Sequence, residues 1–212
     1  MSGHQACLVV AGPSGVGKST LINAALKENP RWMFSVSATT RPRREGEVDA
    51  RDYHFLDHAA FAKLINAGGF LEYAEVYGNL YGTPASEIGR AKSLDKHLLI
   101  EVDTVGCMGI RSLRPDIPML AILPPSLEEL RSRLRKRGTE TEESLHRRFL
   151  SIMVELSRMR GFDFAIVNGE AERAVRQLLE LMGIIEAGQM SVAELVDGLL
   201  AEANEVQNRG EK

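Results

Sequence analysis

The chain has 212 residues, 44% hydrophobic and 26% charged, and its 26 Lys and Arg against 29 Asp and Glu leave a net charge of -3. Such a composition belongs to a globular protein of one large domain or two small ones, able to bury a core without disulfides or structural zinc. It excludes a disordered, collagen-like or mucin-like chain, and the near-neutral balance disfavours a general nucleic-acid binder, so any site for a polyanion must be local.

Met1 to Gln5 carry no charged n-region and lead straight into a strand-like run, so a signal peptide is not expected. That run, Ala6-Cys7-Leu8-Val9-Val10-Ala11, is continuously apolar and predicts a strand buried on both faces. It ends in Gly12-Pro13-Ser14-Gly15-Val16-Gly17-Lys18-Ser19, a complete GxxxxGK(S/T) pattern between the strand and a helix that starts near Ser19. The backbone N–H groups of such a loop, with the positive end of the following helix, bind β- and γ-phosphate oxygens. Lys18 would bridge those oxygens, and Ser19 would offer its hydroxyl to Mg2+, a hard cation that takes oxygen ligands. The bland alternative is a glycine-rich turn with a solvated lysine. With glycine at about 7% of average composition a chance match is on the order of one per cent, which favours the phosphate site. The pattern does not choose among hydrolysis, motor work, regulation and phosphoryl transfer.

From Trp32 to Thr83 the rhythm changes to short strands, expected at Phe34–Ser37, Tyr53–Leu56 and Phe70–Tyr77. One helix interrupts them, capped by Asp57, built on Phe61, Leu64 and Ile65, and stopped by Gly68-Gly69. Residues 32–83 therefore read as a small mixed β insert whose strands run largely antiparallel. The apolar strand pattern resumes at His97–Asp103, Pro118–Leu123 and Phe164–Val167, so that residues 1–31, 84–123 and 162–190 make a doubly wound parallel-sheet core of an α/β fold.

Residues 124–161 are helical and rich in arginine, opening on a capping box of Ser126 and Glu129 ahead of Leu130 and Leu134. Arg131, Arg133, Arg135 and Arg137 alternate between helix faces rather than forming one polyanion stripe, so most are expected to be solvated or paired with Glu128 and Glu129. Residues 191–212 are a C-terminal helical extension and tail. Val192, Leu195, Val196, Leu199 and Ala203 share a face that either packs on its own chain or pairs with a second copy as a homodimer. Cys7 and Cys107 have no metal or redox spacing and read as reduced, buried thiols. With no apolar run long enough to cross a membrane, this points to a cytoplasmic protein without a membrane partner.

Selection among phosphate chemistries rests on Ser37-Ala38-Thr39-Thr40-Arg41-Pro42-Arg43-Arg44-Glu45-Gly46-Glu47, then Asp52-Tyr53, Glu72 and Tyr81-Gly82-Thr83-Pro84. Arg41 and Arg44 carry permanent planar forks that take phosphate oxygens bidentately, and Tyr53 and Tyr81 can add neutral donors. Three arginines broken only by proline would repel one another without an anion. Together with the phosphate loop, the strand ending in Asp103 and the Arg137–Glu143 run, these motifs resemble guanylate kinases over almost all of Leu8 to Met182.

The resemblance implies transfer of the γ-phosphoryl group of ATP to GMP or dGMP in purine nucleotide metabolism, with Mg2+ as cofactor. It implies a GMP-binding insert at 32–83 and a closing helical lid at 124–161. It assigns Gly12, Pro13, Ser14, Gly15, Val16, Gly17, Lys18, Ser19, Thr20, Asn168 and Gly169 to ATP. To GMP it assigns Ser37, Arg41, Arg44, Tyr53, Glu72, Tyr81, Thr83, Glu101 and Asp103. The catalytic cations it singles out are Lys18, Arg41, Arg44, Arg137 and Arg148. A carboxylate such as Glu72 suits guanine, which offers N–H donors at N1 and N2, and repels adenine, whose N1 is an acceptor. Asp103 has an independent case, because ligands bind at the carboxyl ends of buried parallel strands.

Gly169 departs from the family's frequent Asn-Asp pair, and Val105 stands where many relatives carry glutamine. Two other classes fit part of the pattern. Scaffold modules that bind phosphopeptides lack a working phosphate loop. A kinase for another phosphorylated acceptor is opposed by Glu72, Thr83 and Asp103. An acceptor that is already an ionised phosphate needs no general base, so the scattered histidines do not count against an enzyme.

Overall fold

The computed structural model describes residues 5–76, 78–136 and 142–187, with the side chains of 136 and 142–147 outside that description. Tyr77, Arg137 and the segment 191–212 of the sequence reading lie outside the described residues.

The apolar run at the start forms β1 (Cys7–Ala11), buried along its whole length. After it come α1 (Lys18–Glu28) and β2 (Trp32–Phe34). The insert follows with β3 (Ala38–Thr39), β4 (His54–Phe55), α2 (His58–Asn66), β5 (Phe70–Val76) and β6 (Asn79–Pro84). Then come α3 (Ser86–Ser93), β7 (His97–Glu101), α4 (Thr104–Leu113) and β8 (Met119–Leu123). The chain closes with α5 (Leu127–Lys136), α6 (Glu142–Arg158), a 3-10 turn at Met159–Gly161, β9 (Phe164–Val167) and α7 (Ala171–Ala187).

A parallel sheet in the order β2-β7-β1-β8-β9 makes the core. Side chains alternate across it, as strand geometry requires. Leu8, Val10, Leu99, Leu120 and Ile122 pack with Leu21 and Ile22 of α1 and Leu178 of α7. Val9, Leu98, Ile100 and Met119 pack with Ala91 of α3 and with Cys107 and Ile110 of α4 on the opposite face. Both faces are covered by helices, which is the doubly wound arrangement expected, and the strand ends carrying Gly12, Glu101 and Asp103 share one rim.

The second sheet has the order β4-β3-β6-β5. It is mixed: β6 runs antiparallel to β3 and β5, whereas β3 and β4 are parallel, so the insert is less purely antiparallel than its strand rhythm implies. A register shift between Phe70 and Glu72 sets Glu72 opposite Thr83. Phe70 stacks on Phe61 of α2 with ring centroids 4.5 Å apart, while its neighbour Leu71 joins the core beside Cys107 and Ile110. Strand β5 thus ties the insert to α4.

One strand differs from expectation. The strand expected at Phe34–Ser37 in the insert is instead Trp32–Phe34, and it pairs in parallel with β7 as the edge of the core sheet. Trp32 is buried and its ring lies 5.2 Å from that of His97, which pins these residues to the core. The alternation of Phe34-Ser35-Val36-Ser37 looks like a half-buried strand because Ser35 continues the ladder with one bond to the Leu99 carbonyl before the chain crosses over.

Candidate active site

The phosphate loop joins β1 to α1. Gly17 sits at φ 96°, and a Cβ there would stand 2.6 Å from Asn168 Nδ2, so torsion and space both require glycine. No side chain caps α1, which leaves its first-turn N–H groups to a ligand. Lys18 folds back over the loop, its Nζ donating to the Gly12 carbonyl at 2.7 Å and lying 3.9 Å from Glu101.

The loop is held from behind. Asn168, buried after β9, donates from Nδ2 to the Val16 carbonyl at 2.7 Å. Arg133 of α5 donates to the same carbonyl at 3.3 Å and to the Asn168 carbonyl at 3.0 Å, while its Nε reaches Glu129 at 3.0 Å. The Arg133–Glu129 pair is the pairing expected of the arginine run. The Ser126 cap also forms, its Oγ accepting from the Glu129 N–H at 3.1 Å.

On the insert, Arg41 makes a fork with Glu47 at 2.7 and 3.1 Å and lies 5.5 Å from the Tyr53 ring centroid. It also interacts with the Tyr81 hydroxyl, and Tyr53 meets Tyr81 edge-on. The Arg41 guanidinium and the Arg44 backbone N–H hold the Glu47 carboxyl below the usual range. Glu47 is therefore the counter-charge of this arginine loop. Asp52 serves Arg51 instead, at 2.7 Å. The Arg44 side chain is exposed.

The register of β5 against β6 brings Glu72 and Thr83 together, and the Thr83 hydroxyl donates to Glu72 Oε1 at 2.7 Å. Burial pushes the Glu72 carboxyl above its ordinary range, Thr83 opposes this, and the charge of Asp103 adds to the rise. Asp103 N-caps α4, with Oδ1 accepting from the Gly106 N–H at 2.7 Å, so one of its two oxygens is committed to the fold. Glu101 is likewise raised by burial, opposed by Lys18.

One cleft of about 520 Å³ collects Gly12, Ser14, Lys18 and Ser19 of the loop with Ser37, Tyr53, Glu101 and Asp103 from the other side. Asp52, Phe34, Ser35 and Val102 complete its wall with Glu155. Among the expected residues, Arg41, Arg44, Glu72, Tyr81 and Thr83 stand on the insert without lining that cleft. Thr20 and Gly169 are exposed, as is Arg148 on α6. Asn168 is expected on the nucleotide, and its Nδ2 donates to the Val16 carbonyl at the back of the phosphate loop.

Two residues escaped the sequence reading. Glu155 follows Arg148 by two helical turns on α6, a spacing that sets both on one side of the helix. Burial raises its carboxyl and Asp103 adds to that, against the opposing charges of Lys18, Arg158 and Arg148. Arg133 is one member of an alternating run, and nothing local in the sequence distinguishes it from Arg131 or Arg135.

Residues 4–184 match the guanylate kinase family. The guanylate kinase of Rubrobacter xylanophilus is 45% identical over 181 residues, covering 85% of this chain and 95% of the relative. That of Chromobacterium violaceum is 42% identical over 185 residues, 87% of each chain. Among solved structures, guanylate kinase from Anaplasma phagocytophilum superimposes with a TM-score of 0.67 at 30% identity, covering 90% of this chain and 89% of the other.

Proposed function

Because the chain belongs to the guanylate kinase family, we infer that its cleft transfers the γ-phosphoryl group of ATP to GMP, and to dGMP, giving ADP and GDP. The observation that carries this reading is the single cleft in which a phosphate loop faces Ser37, Tyr53 and Asp103. ATP and GMP, laid end to end, would meet there phosphate to phosphate.

Phosphoryl transfer needs in-line positioning and offset of negative charge more than covalent chemistry. The uncapped start of α1 and Lys18 serve the ATP phosphates, with Lys18 exchanging the Gly12 carbonyl for a phosphate oxygen. Arg41, oriented by Glu47, joins Arg44, Tyr53 and Tyr81 on the GMP phosphate. Glu72, steadied by Thr83, accepts from guanine N1–H and N2–H, and the free oxygen of Asp103 completes the edge. Arg137 and Arg148 supply the remaining positive charge as the lid closes and water is excluded.

The oxygen chemistry of the cleft suits Mg2+. Among the described residues no three His, Cys, Asp or Glu side chains gather for direct ligation, so the Ser19 hydroxyl and the substrates' phosphates would hold the ion. Bound there, it would offset negative charge on the phosphates. Among the described residues no helix is long and apolar enough to cross a membrane, and we propose the cytoplasm as the compartment.

ADP release coupled to a reporter and measured with GMP, dGMP, AMP, CMP and UMP tests the reading. Turnover confined to GMP and dGMP is expected. Comparable turnover with AMP, or none with any acceptor, would contradict it.

A further inference from the structure

The two carboxylates assigned to guanine come from different elements, Glu72 from β5 and Asp103 from the start of α4. Their relative placement is therefore a matter of how closely β5 and α4 approach. At the point of approach stands Gly106, buried in the first turn of α4. A Cβ on Gly106 would lie 2.9 Å from Glu72 Oε2 and 3.2 Å from Glu72 Cδ, inside normal contact. The N–H of the same residue binds Asp103 Oδ1 at 2.7 Å. One residue thus touches both carboxylates, and neither contact uses a side chain.

We propose that Gly106 is a positioning residue for guanine recognition, setting Glu72 by the space it leaves and Asp103 by its backbone donor. This rests on the reading that Glu72 and Asp103 meet the base. Thr83 holds Oε1 of Glu72, so Oε2 is the oxygen whose position Gly106 decides. Any side chain at 106 drives that oxygen off its site while the Asp103 cap stays in place. The closest displaced atom is the end of the Glu72 side chain, while Val102 Cβ, 3.2 Å away, has to give by only a few tenths of an ångström, and alanine is a better helix former than glycine, so the main loss falls on the base. Gly109, one turn on, is different: a Cβ there would sit 3.5 Å from Glu72 Cβ, an ordinary contact.

The test is steady-state kinetics of Gly106→Ala, Gly109→Ala, Glu72→Gln and the Gly106→Ala/Glu72→Gln double variant. Gly106→Ala is expected to raise KM for GMP roughly tenfold or more, because misplacement by about 1 Å is enough for losses of that order, with KM for ATP unchanged. Gly109→Ala is expected to keep the parent values. In the Glu72→Gln background the added effect of Gly106→Ala should shrink to within about twofold, since both act through one carboxylate.

A parent-like KM for GMP in Gly106→Ala, an equal rise in KM for ATP, or an undiminished effect in the Glu72→Gln background would overturn the proposal. Glu72→Gln with an unchanged KM for GMP would instead sink the underlying base assignment, and the two failures are distinguishable. Should Gly106→Ala be insoluble, adding Glu72→Asp, which withdraws the carboxylate by one methylene, is expected to restore soluble protein. Insolubility of both would also count against the proposal.

Discussion

At Glu72, burial and the Thr83 hydroxyl pull the carboxyl in opposite directions, and burial wins. The folded chain holds that proton more tightly than the unfolded chain does. Stability from this group is therefore present below the ordinary glutamate range and is lost as pH rises through the raised value. On the proposed assignment of Glu72 to the base, recognition of guanine has the opposite demand, since only the ionised form accepts two N–H donors. KM for GMP should accordingly rise as pH falls, beginning above the ordinary glutamate range, and Glu72→Gln should remove that limb. Glu72→Gln should also keep or raise the thermal midpoint near pH 7, because an amide avoids the burial of charge, while weakening GMP by roughly 10- to 100-fold. A variant that loses stability but keeps GMP affinity would reverse this account.

On the proposed reading the arginines divide by role. Arg44→Ala should raise KM for GMP and lower turnover together. Arg137→Ala should lower turnover on the order of 10³-fold with GMP affinity kept, by analogy with transition-state arginines. Parent turnover in Arg137→Ala would remove it from the mechanism. At this scale the sequence singles out residues that belong to an ordered motif, as Lys18, Arg41 and Glu72 do. It is silent on the reach of Arg133 to Val16 and Asn168, which lie 117 and 35 residues away. It also missed that Asp103 commits one oxygen to capping α4, although an Asp followed three residues later by a buried helical position carries that signal.

Among the elements, those governed by local chemistry were legible to the residue. Strand β9 lies at Phe164–Val167 as read, and Asp57 caps α2 with Oδ1 accepting from the Ala60 N–H at 2.7 Å. Strand β2 was not, because its partner β7 begins 65 residues after Trp32 and no local pattern reports that pairing. Separation in sequence also hides a clasp at the junction of core and insert, where Val36 and Glu87 are 51 residues apart. Glu87 of α3 is buried and accepts from the Val36 N–H at 2.7 Å and from Arg90 at 2.6 and 2.9 Å, with His54 of β4 at 3.5 Å. Burial pushes its carboxyl up, but Arg90 and the Val36 N–H outweigh that and hold it below the usual range. Its contribution is present above the ordinary glutamate range and lost as pH falls through the lowered value. Glu87→Ala leaves a buried N–H without its partner and should cost about 1–3 kcal/mol in urea or thermal unfolding. A midpoint equal to the parent's would mean the junction is held by packing alone.

For the molecule as a whole, the parallel sheet brings the phosphate loop, Glu101 and Asp103 to one rim, and β5 carries the insert to the same place through Leu71 and Glu72. Of the four apolar strands from which the doubly wound core is readable, β1, β7 and β8 are buried on both faces and need no alternation to be recognised, whereas β9 at the sheet edge alternates buried and exposed residues. The geometry between core and insert was not readable, since it depends on contacts such as Gly106 against Glu72 that join elements far apart in sequence. The central claim is that one cleft receives two nucleotides joined through their phosphates. Inhibition by adenosine and guanosine linked 5′ to 5′ through a polyphosphate chain tests it most directly: the account predicts competition with both ATP and GMP, with each substrate alone able to displace the compound. Inhibition competitive with ATP but noncompetitive with GMP would contradict it.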